Sequence, residues 1–248
     1  MWGRRSAAVA VLVVVLTGCS VTVTGSARPV VAPVSPPAGQ PPPPTGPGST
    51  PAVPAGVDPA ELIEDVATAE QVVDEYWTRH WSDFFVGTYE SPTVVGLYDG
   101  ADPDPALPTC AGEVLPPENA VYCPEGDFVA WDVTLMLRGL EIGDAWVYLI
   151  VAHEWGHAVQ ARLDMSLNLQ QSELQADCLA GATLYGAAAD GTLSLESGDV
   201  RELTTSLTAA ADETPWTSST DHGDPFQRIG AFDLGRTGGV EACLPVSG

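Results

Sequence analysis

The chain is predicted to fold as a mainly helical α+β domain with a small antiparallel sheet, crosslinked by disulfides. Three observations predict this. Apolar residues recur at helical spacing over residues 60–85 and again through an apolar stretch that opens near Ala145. Between them lie short runs of β-branched and aromatic residues bounded by turn formers. Cys110, Cys123, Cys178 and Cys243 are spread over the same region.

The elements follow in chain order. Residues 1–18 read as a cleavable signal peptide: Arg4 and Arg5 make a positive start, and residues 7–16 are apolar but too few to span a membrane. The segment closes Leu16-Thr17-Gly18-Cys19, which resembles the bacterial lipobox. That resemblance implies cleavage before Cys19, a lipid on its sulfur, and a protein anchored on the extracytoplasmic face of the cell membrane. An ordinary signal peptide with a stray cysteine is the alternative. Residues 19–58 read as a Pro-rich disordered tether, because 12 of the 22 prolines lie between Pro29 and Pro59, among Gly, Ser, Thr and Ala. Such a composition cannot bury a core, and at about 3.1 Å per residue it reaches roughly 100 Å when extended.

The folded domain is expected over residues 59–248, long enough for one ordinary core. Asp58-Pro59 is a helix-start signal, and Leu62, Ile63, Val66, Val72, Val73, Tyr76 and Trp77 give that helix its apolar face. His80 at its far end reads as a core or surface histidine. Residues 94–98 read as a strand, followed by a Pro- and Asp-rich loop. Residues 120–122 and 128–132 read as strands joined by the turn Pro124-Glu125-Gly126-Asp127. A strand just before the next helix can pair its open edge with an extended peptide. That helix is expected over residues 144–163 with Asp144 as N-cap; Trp146, Leu149, Ile150 and Val151 make it apolar on most of its surface, so it should be buried. Another helix starts at Ser172 and ends between residues 186 and 191, and a third covers residues 199–211 with Leu203 and Leu207 inward. The rest reads as turn-rich, including Asp221-His222-Gly223-Asp224-Pro225-Phe226-Gln227-Arg228.

Charge excludes some partners. There are 33 acidic residues against 9 basic, all Arg, for a net charge of −24. That argues against nucleic acid and anionic membrane surfaces as ligands. Five cysteines are an odd number for an exported protein. If Cys19 carries lipid, the other four should pair outside the cytoplasm. Of the three connectivities, Cys110–Cys123 and Cys178–Cys243 are preferred: the first closes a short Pro-rich loop, the second ties the C-terminal tail to a helix. No Cys-x-x-Cys spacing supports a cysteine-ligated zinc site.

The chemistry lies in His153-Glu154-Trp155-Gly156-His157. Residues four apart share a helix face, so both imidazoles can address one ion with Glu154 beside them, an arrangement of two metal ligands and a carboxylate base. A hydrolytic zinc takes three protein ligands and keeps a fourth position for water. The candidates for the third are Glu173, Asp177 and His222.

The run from His153 to Gln160, followed by Glu173-Leu174-Gln175-Ala176-Asp177-Cys178-Leu179-Ala180-Gly181, resembles the bacterial neutral zinc metallopeptidase family. Tyr122-Cys123-Pro124, Leu195-Glu196-Ser197-Gly198-Asp199, His222-Gly223 with Gln227-Arg228, and Cys243 fit the same pattern, over roughly residues 60–243. The resemblance implies a zincin-like fold, one Zn2+ per chain and Glu173 as third ligand. It makes Asp177 the carboxylate that orients a metal-bound imidazole, and places His222 near the open site, to steady the oxyanion or touch substrate. Trp155, Ala158 and Asp221 depart from the family's usual residues, and Trp155 is expected to narrow the pocket.

The implied activity is a membrane-anchored, zinc-dependent peptidase that hydrolyses peptide bonds with a zinc-bound water and Glu154 as general base. Its partners would be peptide or protein substrates, and the membrane through Cys19. Two alternatives stay open: a non-catalytic, zinc-stabilised binding or scaffolding lipoprotein, and an amidase on cell-wall peptides.

Overall fold

The computed structural model of the protein describes residues 58–102, 107–215, 217–218 and 221–245. The expected signal peptide, the lipid site at Cys19 and the tether up to residue 57 lie outside the described residues.

Helix α1 (Pro59–Phe84) starts where the cap signal stands: the Asp58 side chain accepts from the Ala60 N–H, and Pro59 occupies the first turn. It buries Leu62, Val66, Ala69, Val73, Tyr76 and Trp77 along one stripe. Five short strands follow: β1 (Thr93–Tyr98), β2 (Thr109–Cys110), β3 (Glu113–Val114), β4 (Ala120–Cys123) and β5 (Phe128–Asp132). β2 and β3 form a small antiparallel pair of their own. The main sheet has the order β1-β5-β4 and is mixed rather than antiparallel: β4 pairs antiparallel with β5, but β1 runs parallel to it. Connection length explains the difference. A tight turn joins β4 to β5 and forces opposite directions, whereas the long excursion between β1 and β4 lets β5 enter the sheet running with β1. β5, the strand just before the helices, therefore has partners on both sides, and β1 and β4 are the edge strands.

Asp132 ends β5 and caps α2 (Val133–Gly139), accepting from the N–H groups of Thr134 and Leu135. Sequence periodicity had assigned no element to this short helix. α3 (Ala145–Arg162) is the central element, packed against α1, α2, α4, α5 and the sheet. Apolar and small residues on every side bury it. Asp144 stands at its N-cap position, but with helical backbone angles and no capping hydrogen bond. A 3-10 turn (Met165–Leu167) leads to α4 (Ser172–Asp190), which ends at Gly191 in the left-handed conformation. α5 (Asp199–Ala209) turns Leu203 and Leu207 inward.

The last segment is not turn-rich. It is helix α6 (Pro225–Ala242), opened by a capping box between Asp224 and Gln227 and kinked at Gly239. Read by propensity alone, its glycines argue for turns. A Cβ on Gly235 would stand 1.8 Å from the Cys178 carbonyl oxygen, and one on Gly181 would stand 2.2 Å from the Phe232 oxygen. These glycines let α4 and α6 meet backbone to backbone. Cys178–Cys243 staples the same pair, with its Cα atoms 5.5 Å apart, so Cys243 ends a packed helix and is no loose tail. Cys110–Cys123, with Cα atoms 5.7 Å apart, closes the loop between the β2–β3 pair and β4. No helix among the described residues is long and apolar enough to cross a membrane.

Candidate metal centre

α3 and α4 make the site by lying very close. A Cβ on Gly156 would sit 3.0 Å from the Ala176 backbone, so nothing larger than glycine fits without a shift. That approach carries Glu173, in the first turn of α4, to His153 and His157, one turn apart on α3. Glu173 Oε2 lies 3.2 Å from His153 Nε2 and 3.3 Å from His157 Nε2. One donor atom from each of the three falls within 4.8 Å of the others. Ligands at zinc bond lengths of 2.0–2.1 Å in a tetrahedron stand about 3.3 Å apart, so these donors fit one such ion.

The remaining ring nitrogens are occupied. His153 Nδ1 lies 2.9 Å from Asp177 Oδ1, and His157 Nδ1 lies 2.9 Å from Gln160 Oε1. An acceptor oxygen opposite Nδ1 makes that nitrogen the N–H donor and leaves Nε2, facing Glu173, as the atom that carries either a proton or a metal. Asp177 is fully buried and is held by Arg228, whose Nε and Nη2 donate to its two oxygens at 2.8 and 2.7 Å. Arg228 also donates through Nη1 to the Ala210 carbonyl at 2.6 Å.

The electrostatics favour a cation. Burial alone would push His153 down, but the Asp177 carboxylate beside it outweighs burial and lifts it to about 10. His157 is also raised: burial works against this, and Glu173 prevails. Burial would raise Glu173, yet the two imidazoles hold it far below the usual carboxylate range. Asp177 is lowered against its own burial by Arg228 and then His153. Protons thus hold the positive charge where a metal ion would, and the two compete for the same nitrogens.

The donors open on a cavity of about 720 Å³. Glu154 stands on its wall, with Oε2 accepting the Tyr122 N–H of β4 at 2.8 Å. Ala120, Val121 and Tyr122 form one side of the cavity, and Leu135, Ile142, Trp146 and Ile150 form an apolar side. His222 is on the wall of this cavity as well, but half exposed, with Nδ1 3.5 Å from Asp212 Oδ1 and its backbone N–H on Asp212 Oδ2. Among the described residues no hydrogen bond joins His222 to His153, His157 or Glu173. Trp155 does not narrow the cavity. It points into the core and donates to the Tyr89 hydroxyl at 2.7 Å. His80 is far along α1, bridging Asp83 and Asp190.

Arg228, Gln160 and Gln175 carry much of this geometry and had no assigned role from sequence. Gln160 was detectable, since it follows His157 by one turn on an otherwise apolar face. Arg228 and Gln175 left no comparable local signal. Compared with family models, curated proteins and solved structures, the chain matches none.

Proposed function

We propose that the protein is a zinc-dependent peptidase of zincin-like organisation, held on the outer face of the cell membrane by a lipid on Cys19. The observation that carries the catalytic part is the convergence of His153 Nε2, His157 Nε2 and Glu173 Oε2 on a cavity that Glu154 also lines. The anchoring part rests on the leader and Cys19. A zinc ion bound there supplies a water acidified towards about pKa 7 and a Lewis acid for the scissile carbonyl.

The chain's own groups do the rest. Tyr122 holds Glu154 Oε2, which leaves Oε1 to take a proton from water and return it to the departing amine. Among the described residues β4 has no strand on its side away from β5; that side lines the cavity, and an extended peptide backbone can add there beside the Tyr122 N–H that Glu154 already takes. His222, on the cavity wall beside Asp212, is the group placed to steady a developing oxyanion. Peptides or proteins outside the cytoplasm, including cell-wall peptides, are the substrate class.

The test is metal content by elemental mass spectrometry for the wild type and Glu173→Ala, followed by hydrolysis of a peptide library and of purified wall material. About one zinc per chain, lost on Glu173→Ala, supports the site. A wild type without bound metal, or a mutant that keeps it, overturns the ligand assignment.

A further inference from the structure

We infer that α6 is the positioning element of the metal centre, because two separate buried relays run from it to the two histidines. The inference rests on the proposed ligand set and extends it.

The first relay starts in the first turn of α6. Arg228, almost completely buried, grips both oxygens of Asp177, and Asp177 Oδ1 meets His153 Nδ1. The second starts at the opposite end of the helix. The Cys243 carbonyl accepts from Gln175 Nε2 at 3.1 Å; Gln175 Oε1 accepts from Gln160 Nε2 at 3.1 Å; Gln160 Oε1 faces His157 Nδ1 at 2.9 Å. Gln175 and Gln160 are both buried, so water does not substitute for a lost partner. A side-chain amide can accept on one atom and donate on the other, which lets this relay pass orientation through two glutamines. Gln175 is further pinned by the Leu167 carbonyl and the Leu169 N–H.

The Cys178–Cys243 disulfide acts on both relays. It joins the residue after Asp177 to the residue whose carbonyl anchors Gln175. The closed disulfide fixes α6 along α4, and with it Arg228 behind Asp177 and the Cys243 carbonyl on Gln175. Groups that orient metal-bound histidines change metal affinity by about 10- to 100-fold. Arg228, Gln160 and Gln175 are therefore positioning residues, and the disulfide sets metal retention as well as stability.

The experiment measures Zn2+ affinity of the full protein by competition with a chromophoric chelator, and the visible spectrum of the Co2+-loaded protein. Circular dichroism of the metal-free form checks folding. Gln160→Leu is expected to weaken Zn2+ about 10- to 100-fold and shift the Co2+ bands, whereas Gln160→Glu, which keeps an acceptor opposite Nδ1 but loses the donor to Gln175 and to the Ser172 carbonyl, recovers only part of the loss. Replacing both Cys178 and Cys243 by Ala should weaken binding about 10-fold in the wild type but only about 3-fold in the Gln160→Leu background, where the Arg228–Asp177 relay alone still transmits the loss. A purely structural disulfide gives the same factor in both backgrounds, and that result overturns the inference. If the protein lacking Cys178 and Cys243 does not fold, Gln160→Leu alone decides: folded protein with wild-type affinity and unchanged Co2+ bands sinks the proposal. Loss of metal on Glu173→Ala beside unaffected relay variants leaves the metal site standing without it. A wild type that binds no Zn2+ removes both.

Discussion

α3 gathers acidic side chains at two places, and they are built in opposite ways. Around His153 and His157, Glu173 and Asp177 meet two imidazoles and Arg228, and each carboxylate has a cationic or N–H partner. At the N-terminal end of the same helix, Asp144, Asp199 and Glu202 bring oxygens within 4.8 Å of one another. Among the described residues no Arg or His forms an ion pair with them. Asp65, which adjoins this group, is pushed up to about 6 by burial first and then by Asp144, Glu61 and Glu64. Asp65 Oδ2 and Glu202 Oε2 are buried without a hydrogen-bond partner among the described residues. One cluster spends carboxylates on orienting nitrogen donors toward a cavity. The other is mutual repulsion, eased by the N-terminal ends of α3 and α5. Proximity of acids is therefore uninformative by itself; what separates the two is the nitrogen ligands and the buried counter-charge.

The largest effect should come from the balanced cluster. Glu154→Gln is expected to lower turnover by about 10²- to 10⁴-fold with zinc content unchanged, measured by steady-state hydrolysis and elemental analysis of the same sample. Undiminished hydrolysis would refute Glu154 as the base. Next is the counter-charge. Arg228→Met strands Asp177 in the core and should destabilise the protein by about 3–5 kcal/mol in chemical denaturation. Asp144→Asn in the unbalanced cluster should be neutral or stabilising; equal losses at both places would erase the contrast drawn here.

A smaller effect separates the clusters by pH. The folded-state value of Asp65, about 6, lies above its ordinary 3.8, so the folded protein holds that proton more tightly than the unfolded chain. Stability from this group is present below about pH 4 and is lost as pH rises through about 6. Asp65→Asn should remove that slope and raise the melting temperature at pH 8 by roughly 2–4 °C. A steeper slope in the mutant would reverse the assignment. Smallest is His80, which has the same His–carboxylate chemistry at the surface, between Asp83 and Asp190. Burial lowers it, but the two carboxylates together outweigh burial and raise it, so its contribution is present at low pH and fades as pH rises through that raised value. His80→Asn should change stability by only about 0.2–1 kcal/mol at pH 6, read by urea denaturation.

Much of the helical frame was legible because helix signals are local. The Asp58-Pro59 cap, the stripe from Leu62 to Trp77 and the spacing of His153 and His157 each depend on residues within a turn of one another. α6 was not legible, although Asp224-Pro225 with Gln227 is a helix start, because Gly230, Gly235, Gly238 and Gly239 argue for turns when read alone. Only against the Cys178 backbone does Gly235 make sense as a contact point; Gly230 and Gly239 meet nothing within 4 Å. Trp155 shows the reverse error: it sits inside the motif yet belongs to the core under Tyr89.

By itself the sequence determined that two imidazoles share one face of an apolar helix, with a carboxylate beside them, and that four cysteines lie where two bridges can form. Those properties follow from a 3.6-residue period and from composition. The tertiary structure alone decided which acid faces which nitrogen. Glu173 meets both Nε2 atoms and Asp177 meets one Nδ1 because α4 approaches α3 at Gly156 and Ala176, and because α6 places Arg228 behind Asp177. Such contacts join residues 20 to 75 positions apart, and no local periodicity encodes the direction from which a distant helix arrives.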